Sequence, residues 1–284
     1  MTARELRIWG IGATIPLGKL RDVLRTLLRS KKIYSDGRYI WVGHGHHRQL
    51  ERTAKEDASR KKFYYASVVG KYIGHIPTVR LVTVTGSVAA GNASTTDDID
   101  FLVVTSPGTV WLTRLCALVL IECIARRRHP YDREVANAIC LNMFLGADAI
   151  GLPPEEHDIY SAYELLLMEP VYTVRGTYRA MLTANSWAKR FLPVAFAHRL
   201  ALESEIQSEI KRPSWFIGLL ESAADRIQTW YMRHRRTSEI IKENVIRFHP
   251  NDSRAHTLSA YHKRCIQYKI PGAPLDNRKT ITVK

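Results

Sequence analysis

Residues 85–101 read Thr85-Gly86-Ser87-Val-Ala-Ala-Gly-Asn-Ala-Ser-Thr-Thr-Asp97-Asp98-Ile99-Asp100-Phe101. The apolar run Leu81-Val82-Thr83-Val84 precedes this segment, and Phe101-Leu102-Val103-Val104 ends it. Short apolar runs rich in β-branched residues and bounded by turn-forming residues predict buried strands. The stretch therefore predicts a strand, a polar glycine-containing loop and a second strand.

The acidic end of this segment predicts a cation site. Asp98 and Asp100 are two residues apart, and alternate residues of a strand project to the same face. Two neighbouring carboxylates repel each other unless a cation lies between them. Because Mg²⁺ prefers carboxylate and phosphate oxygens, we expect Asp98 and Asp100 to bind Mg²⁺ or Mn²⁺.

The glycine-containing end predicts a phosphate site. A glycine at position 86 lets the backbone come close to a bound phosphate. Ser87 offers a hydroxyl group and a backbone N–H to the same phosphate. Each half has a plainer interpretation, since Gly-Ser often forms a turn and Asp-Xaa-Asp often ends a surface strand. Their occurrence together between two buried strands favours a joint metal and phosphate site.

The spacing of these residues resembles the signature of the DNA polymerase β-like nucleotidyltransferases. Gly86-Ser87 is followed after ten residues by Asp98-Ile99-Asp100, the spacing of the minimal members of that superfamily. The resemblance implies that Gly86 and Ser87 bind the triphosphate of a nucleoside triphosphate. It also implies that Asp98 and Asp100 are catalytic and hold the Mg²⁺ ions.

One departure from the family pattern concerns a third carboxylate, which many members carry on a later strand. The corresponding strand is predicted over residues 138–145 and offers Asn142 at this place. An amide oxygen can bind a metal, but it is a poor base. Glu134 or Asp148 could substitute if the fold brings either one to the site.

A looser resemblance covers nearly the whole chain and points to bacterial nucleotidyltransferase-domain proteins with a winged-helix-like N-terminus. The phrases that carry it are Val84-Thr-Gly-Ser-Val, Trp111-Leu-Thr-Arg, Cys140-Leu-Asn-Met-Phe, Asn185-Ser-Trp and Phe248-His-Pro-Asn-Asp.

The predicted organisation has four parts in an α+β fold. Helical spacing over Leu17–Leu28 and an Asp36-Gly37 turn between β-prone runs predict a winged-helix-like unit, joined to one long helix over 46–76. We assign 1–75 to this unit and its connecting helix, and 76–150 to the nucleotidyltransferase core. A helical C-terminal region over 151–270 and a tail over 271–284 complete the chain.

Composition adds a bias towards anionic partners. The 284 residues include 42 Lys and Arg against 27 Asp and Glu, a formal charge of +15. Such a charge raises encounter rates with polyanions, so RNA or DNA is a plausible acceptor. A solvated basic surface is the plainer alternative.

Four cysteines without a Cys-Xaa-Xaa-Cys pair predict reduced core thiols. The segment Val110–Ala125 is too short and too charged to span a bilayer, and no signal peptide is apparent. We therefore expect a cytoplasmic protein without a membrane partner.

The expected activity is Mg²⁺-dependent transfer of a nucleoside monophosphate from a nucleoside triphosphate to a hydroxyl group. The acceptor is left open between a nucleic acid, a protein and a small molecule. The rival hypothesis is a protein that binds nucleotides or nucleic acids through a degraded active site. Asn142 in place of a carboxylate favours this rival.

Overall fold

The computed structural model describes residues 1–43, 47–129, 131–174, 176–203, 214–233, 240–242, 244–247 and 253–270. These residues form a mixture of helices and strands around one mixed sheet, which is consistent with the predicted α+β class. The predicted tail over 271–284 lies outside the described residues.

The N-terminal region contains two helices followed by a hairpin, in the predicted order. Its elements are α1 (Ala3–Ile8), α2 (Leu17–Arg29), β1 (Tyr34–Ser35) and β2 (Ile40–Trp41). The predicted Asp36-Gly37 turn connects the two antiparallel strands. Asp36 stabilises it because its carboxylate accepts hydrogen bonds from the backbone N–H groups of Arg38 and Tyr39, at 2.9 and 2.6 Å. Gly37 supplies the left-handed backbone, with φ of +94°.

The predicted long helix is confirmed as α3 (His47–Gly74), which packs against the sheet. Two glycines permit this close approach. A Cβ atom on Gly70 would lie 2.3 Å from Val171, and one on Gly74 would lie 2.3 Å from the ring of Tyr172.

The sheet has six strands in the order β6-β3-β4-β5-β8-β7. Its strands are β3 (Val79–Val84), β4 (Ile99–Thr105), β5 (Ile139–Gly146), β6 (Glu169–Thr173), β7 (Ile240–Lys242) and β8 (Val245–Arg247). The neighbours β4 and β5 are parallel, and the other pairs are antiparallel. The three strands predicted from sequence, β3, β4 and β5, are thus confirmed as its centre.

Hydrophobic side chains on the two faces of the sheet form two cores. Ile99, Phe101 and Val103 of β4 belong to one, whereas Leu102 and Val104 belong to the other. This alternation follows from the period of two along a strand. Hydrophobic residues pack on both faces of β4, so the backbone that bears Asp100 near the start of this strand is held firmly.

The remaining elements connect or cover the sheet. The helices of the central part are α4 (Gly86–Ala89), α5 (Val110–Ile124) and α6 (Ile159–Leu167). Those that follow are α7 (Thr177–Ala184), α8 (Pro193–Ala201), α9 (Trp215–Met232) and α10 (Ser253–Gln267). Short 3-10 helices occur at Pro154–Glu156 and Ser186–Arg190.

The region predicted to be helical over 151–270 contains five α-helices among its described residues, but it also contains the strands β6, β7 and β8, which the sequence did not predict. The sheet therefore takes strands from both sides of the boundary predicted at residue 150. These strands are only three to five residues long. Such short runs carry little periodicity, and their partners are distant in the chain, so tertiary pairing decides their conformation.

The prediction of core thiols is wrong for two cysteines. Cys116 and Cys123 are exposed on α5, whereas Cys265 is buried and Cys140 is half-buried on β5. Within the described residues, no helix has both the length and the apolarity needed to cross a membrane.

Candidate metal and nucleotide site

Antiparallel pairing of β3 and β4 brings the two halves of the Gly86–Asp100 segment together. Val84 at the end of β3 lies opposite Phe101. The backbone N–H of Thr85 then donates a 2.9 Å hydrogen bond to the carbonyl of Asp100. The chain turns into α4 directly after this bond, so Gly86 lies beside the Asp100 side chain.

Gly86 is required at this point for two reasons. Its φ is +64°, a region that side chains other than glycine rarely adopt. A Cβ atom at this position would also lie 2.9 Å from Oδ2 of Asp100. The backbone of the predicted phosphate loop therefore lies directly against a predicted metal ligand.

The hydroxyl of Ser87 is used within the loop. It donates a 2.8 Å hydrogen bond to Asp97, which also accepts a 3.1 Å bond from the backbone N–H of Ser94. Burial opposes ionisation of Asp97, but the hydrogen bonds from Ser94 and Ser87 outweigh it and lower the pKa of this carboxyl. Asp97 thus fixes the loop, and the Ser87 hydroxyl, predicted to bind a phosphate, is engaged by this carboxylate.

A buried lysine supports the other side of the loop. Lys62 of α3 is only 3% exposed, and its ammonium donates to the carbonyls of Thr95 and Asp97 at 3.1 and 2.6 Å. It also donates a 2.8 Å hydrogen bond to Oδ1 of Asn137, which precedes β5. Lys62 therefore ties the approach to β4 to the approach to β5. The sequence carries no local signal for this role, because Lys62 is one of several cations in the helix predicted over 46–76.

The predicted ligands Asp98 and Asp100 do lie together, and a cysteine joins them. Parallel pairing sets Ile99 beside Ile139 and Asp100 beside Cys140. One ligand atom from each of Asp98, Asp100 and Cys140 lies within 4.8 Å of the others. Paired residues of neighbouring strands share a face, which explains why Cys140 lies next to Asp100.

Cys140, rather than Asn142, is thus the residue of β5 opposite Asp100. The pairing changes register between Phe101 and Leu102, and Asn142 is the unpaired residue at this irregularity. Its Oδ1 atom is buried and has no hydrogen-bond partner among the described residues.

Glu134, the other residue suggested for the third position, is not among the described residues whose ligand atoms cluster with those of Asp98 and Asp100. The signal for Cys140 was present in the sequence as the first polar residue of the third predicted strand. The family resemblance predicts a carboxylate, not a thiol, at the third position.

Burial and charge oppose ionisation at this cluster. Burial is the main cause that raises the pKa of Asp100 to about 6, and the neighbouring charge of Asp98 adds to it. Burial likewise raises the pKa of the Cys140 thiol, with the Asp100 carboxylate as the next cause. Without a cation, the thiol therefore stays protonated at neutral pH.

Arg128 supplies a positive charge beside the carboxylate of Asp98. Its guanidinium donates a hydrogen bond to Asp98 and forms an ion pair with it. The backbone holds Arg128 here, because its N–H donates a 2.9 Å bond to the carbonyl of Ile139. In the sequence, Arg126-Arg127-Arg128-His129 directly follows an apolar helix, where positive charge suits the helix C-terminus. The structure instead assigns Arg128 to the carboxylate cluster.

Glu164 adds a further carboxylate that the sequence analysis missed. It lies on α6, which packs against α4. Its charge contributes to the raised pKa of Asp100, and burial raises the pKa of Glu164 itself. A sequence signal existed, since Glu164 is the sole charged residue of the apolar helix Ile159–Leu167.

The donor set fits a divalent cation. It combines two carboxylates with a thiol and lies beside a glycine whose missing Cβ leaves room at Asp100. Carboxylates suit Mg²⁺ and Mn²⁺, and a thiol donor moves the preference away from Mg²⁺ towards softer ions.

Comparison with protein-family models, curated proteins and solved structures finds no match to this chain. The site is therefore interpreted from its own geometry. It can hold a cation close to the backbone at Gly86, with the half-buried carboxylate of Glu164 nearby.

Proposed function

We propose that this protein is a nucleotidyltransferase that moves a nucleoside monophosphate from a nucleoside triphosphate to a hydroxyl group, using a divalent cation. The observation that carries the proposal is the contact between Gly86 and Asp100, beside the cluster of Asp98, Asp100 and Cys140. This geometry supports a polymerase β-like core, since the phosphate loop and the cation ligands of that superfamily must meet.

Asp98 and Asp100 would hold the cation, with Cys140 at the third position. A cation bound there supplies positive charge that attracts the triphosphate and stabilises the charge of the transition state. Mn²⁺ is the better candidate than Mg²⁺, because Mg²⁺ accepts a sulfur ligand poorly.

The remaining residues would position the substrates. The backbone at Gly86 and Ser87 binds the triphosphate, and Arg128 can exchange its bond to Asp98 for one to a phosphate oxygen. The acceptor oxygen forms a bond to the α-phosphorus, and the bond from that phosphorus to the oxygen of pyrophosphate breaks. Glu164 takes the proton of the acceptor hydroxyl, a role suited to a carboxylate whose pKa is raised.

The net charge of the protein indicates which class of molecule accepts the nucleotide. A formal charge of +15 favours a nucleic acid over a neutral small molecule. The two helices and the hairpin over residues 3–41 support the predicted winged-helix-like unit, and we propose that this unit contacts the acceptor.

A second candidate is a nucleotide- or nucleic-acid-binding protein that transfers nothing. The observation that favours it is Cys140, a protonated thiol where many relatives in the superfamily carry a carboxylate. Such a protein would bind triphosphates and cations but release them unchanged.

The test is incubation of the purified protein with α-labelled nucleoside triphosphates, a total RNA preparation and either Mg²⁺ or Mn²⁺. We expect transfer of label to an acceptor, which Asp98→Asn with Asp100→Asn abolishes. The matched control changes Asp22 and Asp57 to Asn, since both are exposed and lie outside the site. Label that persists in the Asp98 and Asp100 variant would overturn the site assignment. Nucleotide binding without any transfer would favour the second candidate.

A further inference from the structure

Helix α9 turns its large apolar side chains towards solvent. The spacing of apolar residues over 215–231 predicts an apolar side for this helix, and in the structure the large side chains of that side are exposed. Trp215, Ile227 and Trp230 are 79, 59 and 74% exposed. We define the α9 apolar face as these residues together with Phe216, Leu219, Leu220 and Tyr231, all of which are exposed.

The opposite side of α9 is held to the protein by polar contacts. Glu221 accepts hydrogen bonds from the backbone N–H groups of Trp111 and Leu112, at 2.8 and 2.7 Å, and so caps the start of α5. Gln228 is buried and donates a 2.8 Å bond to the carbonyl of Trp111. Rotating the apolar side inwards would break these bonds and leave buried polar groups without partners. The outward direction of the face is therefore built into the fold.

The α9 apolar face is larger than a monomeric protein usually exposes. Its seven side chains are 41–79% exposed, and large side chains of this kind each carry roughly 150–250 Å² of surface. Together they present on the order of 900 Å² of largely apolar surface, against about 300–600 Å² for the largest patch of a typical monomer. A face of this size marks a docking surface.

Basic residues that flank α9 in the sequence indicate which partner binds the α9 apolar face. Lys211-Arg212 precedes the helix in the sequence, and Arg233, Arg235 and Arg236 follow it. Packing of α9 against α9 in a second copy would bring these basic sequence segments towards each other in either direction, which disfavours a second copy. The aromatic residues of the face lie in two pairs, Trp215-Phe216 and Trp230-Tyr231, separated by aliphatic Leu219, Leu220 and Ile227. The face is therefore no continuous stacking platform, which disfavours a single-stranded nucleic acid. An anionic lipid surface accepts both the cations and the aliphatic side chains.

We propose that the α9 apolar face docks this protein on an anionic lipid surface, with the helix in the plane of the interface. Trp215 and Trp230 stand near its two ends, and tryptophan favours the headgroup level of a bilayer. Interfacial helices combine such an apolar face with flanking Lys and Arg residues. The absence of a membrane partner expected from sequence rests on the lack of a spanning segment, and peripheral docking requires none.

Flotation of the full-length protein with vesicles tests this proposal. One vesicle population is phosphatidylcholine alone, and the other is an equal mixture of phosphatidylcholine and phosphatidylglycerol. We expect the protein to float with the anionic vesicles and to bind the neutral ones at least roughly tenfold more weakly. Failure to float with the anionic vesicles overturns the proposal, as does equal binding to both populations.

Substitution of the face separates docking from simple charge attraction. Leu219→Gln with Ile227→Gln changes no charge and touches exposed positions, so the fold should survive, and we expect at least a roughly tenfold loss of vesicle binding. The control is Tyr64→Gln with Ile266→Gln, two residues that are 73 and 78% exposed elsewhere. Equal vesicle binding by both double variants and the unchanged protein overturns the proposal. So does a dimer in light scattering that dissociates on the Leu219 and Ile227 change.

The proposal does not depend on nucleotide transfer. The Leu219 and Ile227 variant should transfer label in solution at the unchanged rate, because α9 is packed on α5 and none of its residues belongs to the cluster of Asp98, Asp100 and Cys140. A loss of transfer in this variant would place α9 in the transfer site and overturn a purely docking role.

Discussion

Asp100 lies at a point where burial and charge both act against its ionisation. Its pKa is raised to about 6, so its carboxylate is charged at neutral pH at a cost in folding free energy. A group with a raised pKa stabilises the folded state only while it is protonated. This contribution is fully present below the ordinary pKa of 3.8 and is lost as the pH rises to about 6.

Asp100→Asn should therefore stabilise the cation-free protein in a pH-dependent manner. The amide keeps the shape of the side chain and carries no charge, so we expect a gain of about 1–3 kcal/mol at pH 7.5 and little gain at pH 4. Urea denaturation in the presence of a chelator at the two pH values measures this gain. Asp22→Asn, at an exposed site, is the control. The same gain at both pH values would contradict the explanation.

Gly86 provides a second test at the scale of one residue. Gly86→Ala should destabilise the protein by about 2–4 kcal/mol, because the methyl group adds a left-handed backbone cost and a collision with Asp100. Gly108→Ala is the matched control, since Gly108 has φ of +66° and open space around it. We expect the control to lose only about 1 kcal/mol in thermal or urea unfolding. Equal losses would show that the approach to Asp100 is unimportant.

Cys140 allows the choice of cation to be tested. Cys140→Asp replaces a sulfur donor with a carboxylate, so we expect the ratio of Mg²⁺-supported to Mn²⁺-supported transfer to rise at least roughly tenfold. Cys140→Ser is the control, because it removes the sulfur without adding a charge. Initial rates with each cation give the ratio. An unchanged ratio in the Asp variant would remove Cys140 from the ligand set.

At the scale of elements, the site depends on how α3 and the sheet are joined. The ammonium of Lys62 on the long helix donates hydrogen bonds to three oxygen acceptors that precede β4 and β5. Burial is the first cause that lowers the pKa of this ammonium, and the neighbouring Asp97 opposes it. The two strands that bear Asp100 and Cys140 are thus connected outside their own backbone pairing.

Lys62→Met should loosen this connection. It leaves three part-buried acceptors without their donor, so we expect a loss of about 1–3 kcal/mol in the free energy of unfolding. The backbone amides of residues 94–98 should also exchange hydrogen faster in the variant than in the unchanged protein, because the loop is no longer held by Lys62. Lys61→Met changes the exposed neighbour on the same helix and should alter neither quantity. A stability equal to that of the control would show that Lys62 does not hold the site together.

The succession of strand, loop and strand around Gly86 and Asp100 was predictable because its sequence signals are local. Residues two apart on a strand share a face, and the spacing of apolar runs around Gly86–Asp100 is visible without any knowledge of the fold. The third ligand was not predictable in this way. Cys140 reaches Asp100 through a parallel register between strands separated by about forty residues, and no local pattern encodes that register.

At the scale of the whole molecule, the formal charge of +15 bears on the acceptor. If that charge recruits RNA, binding of a fluorescein-labelled single strand should weaken at least roughly tenfold between about 50 and 200 mM salt, because counterions are released on binding. Fluorescence anisotropy measures this dependence. Binding of a labelled nucleoside triphosphate should change much less over the same range. No detectable RNA binding at low salt would leave a protein or a small molecule as the acceptor.

The sequence by itself determined the strand, loop and strand around Gly86 and Asp100, the long helix α3 and the amphipathic character of α9. Each of these follows from residue periodicity and turn chemistry over a short stretch. The tertiary structure alone decided that β6 and β8 complete the sheet and that Cys140 rather than Asn142 faces Asp100. It also decided that α9 packs Glu221 and Gln228, rather than its aromatic side, against the start of α5. Periodicity shows which side of a segment is apolar, but the partner that a side meets depends on contacts between residues far apart in the chain.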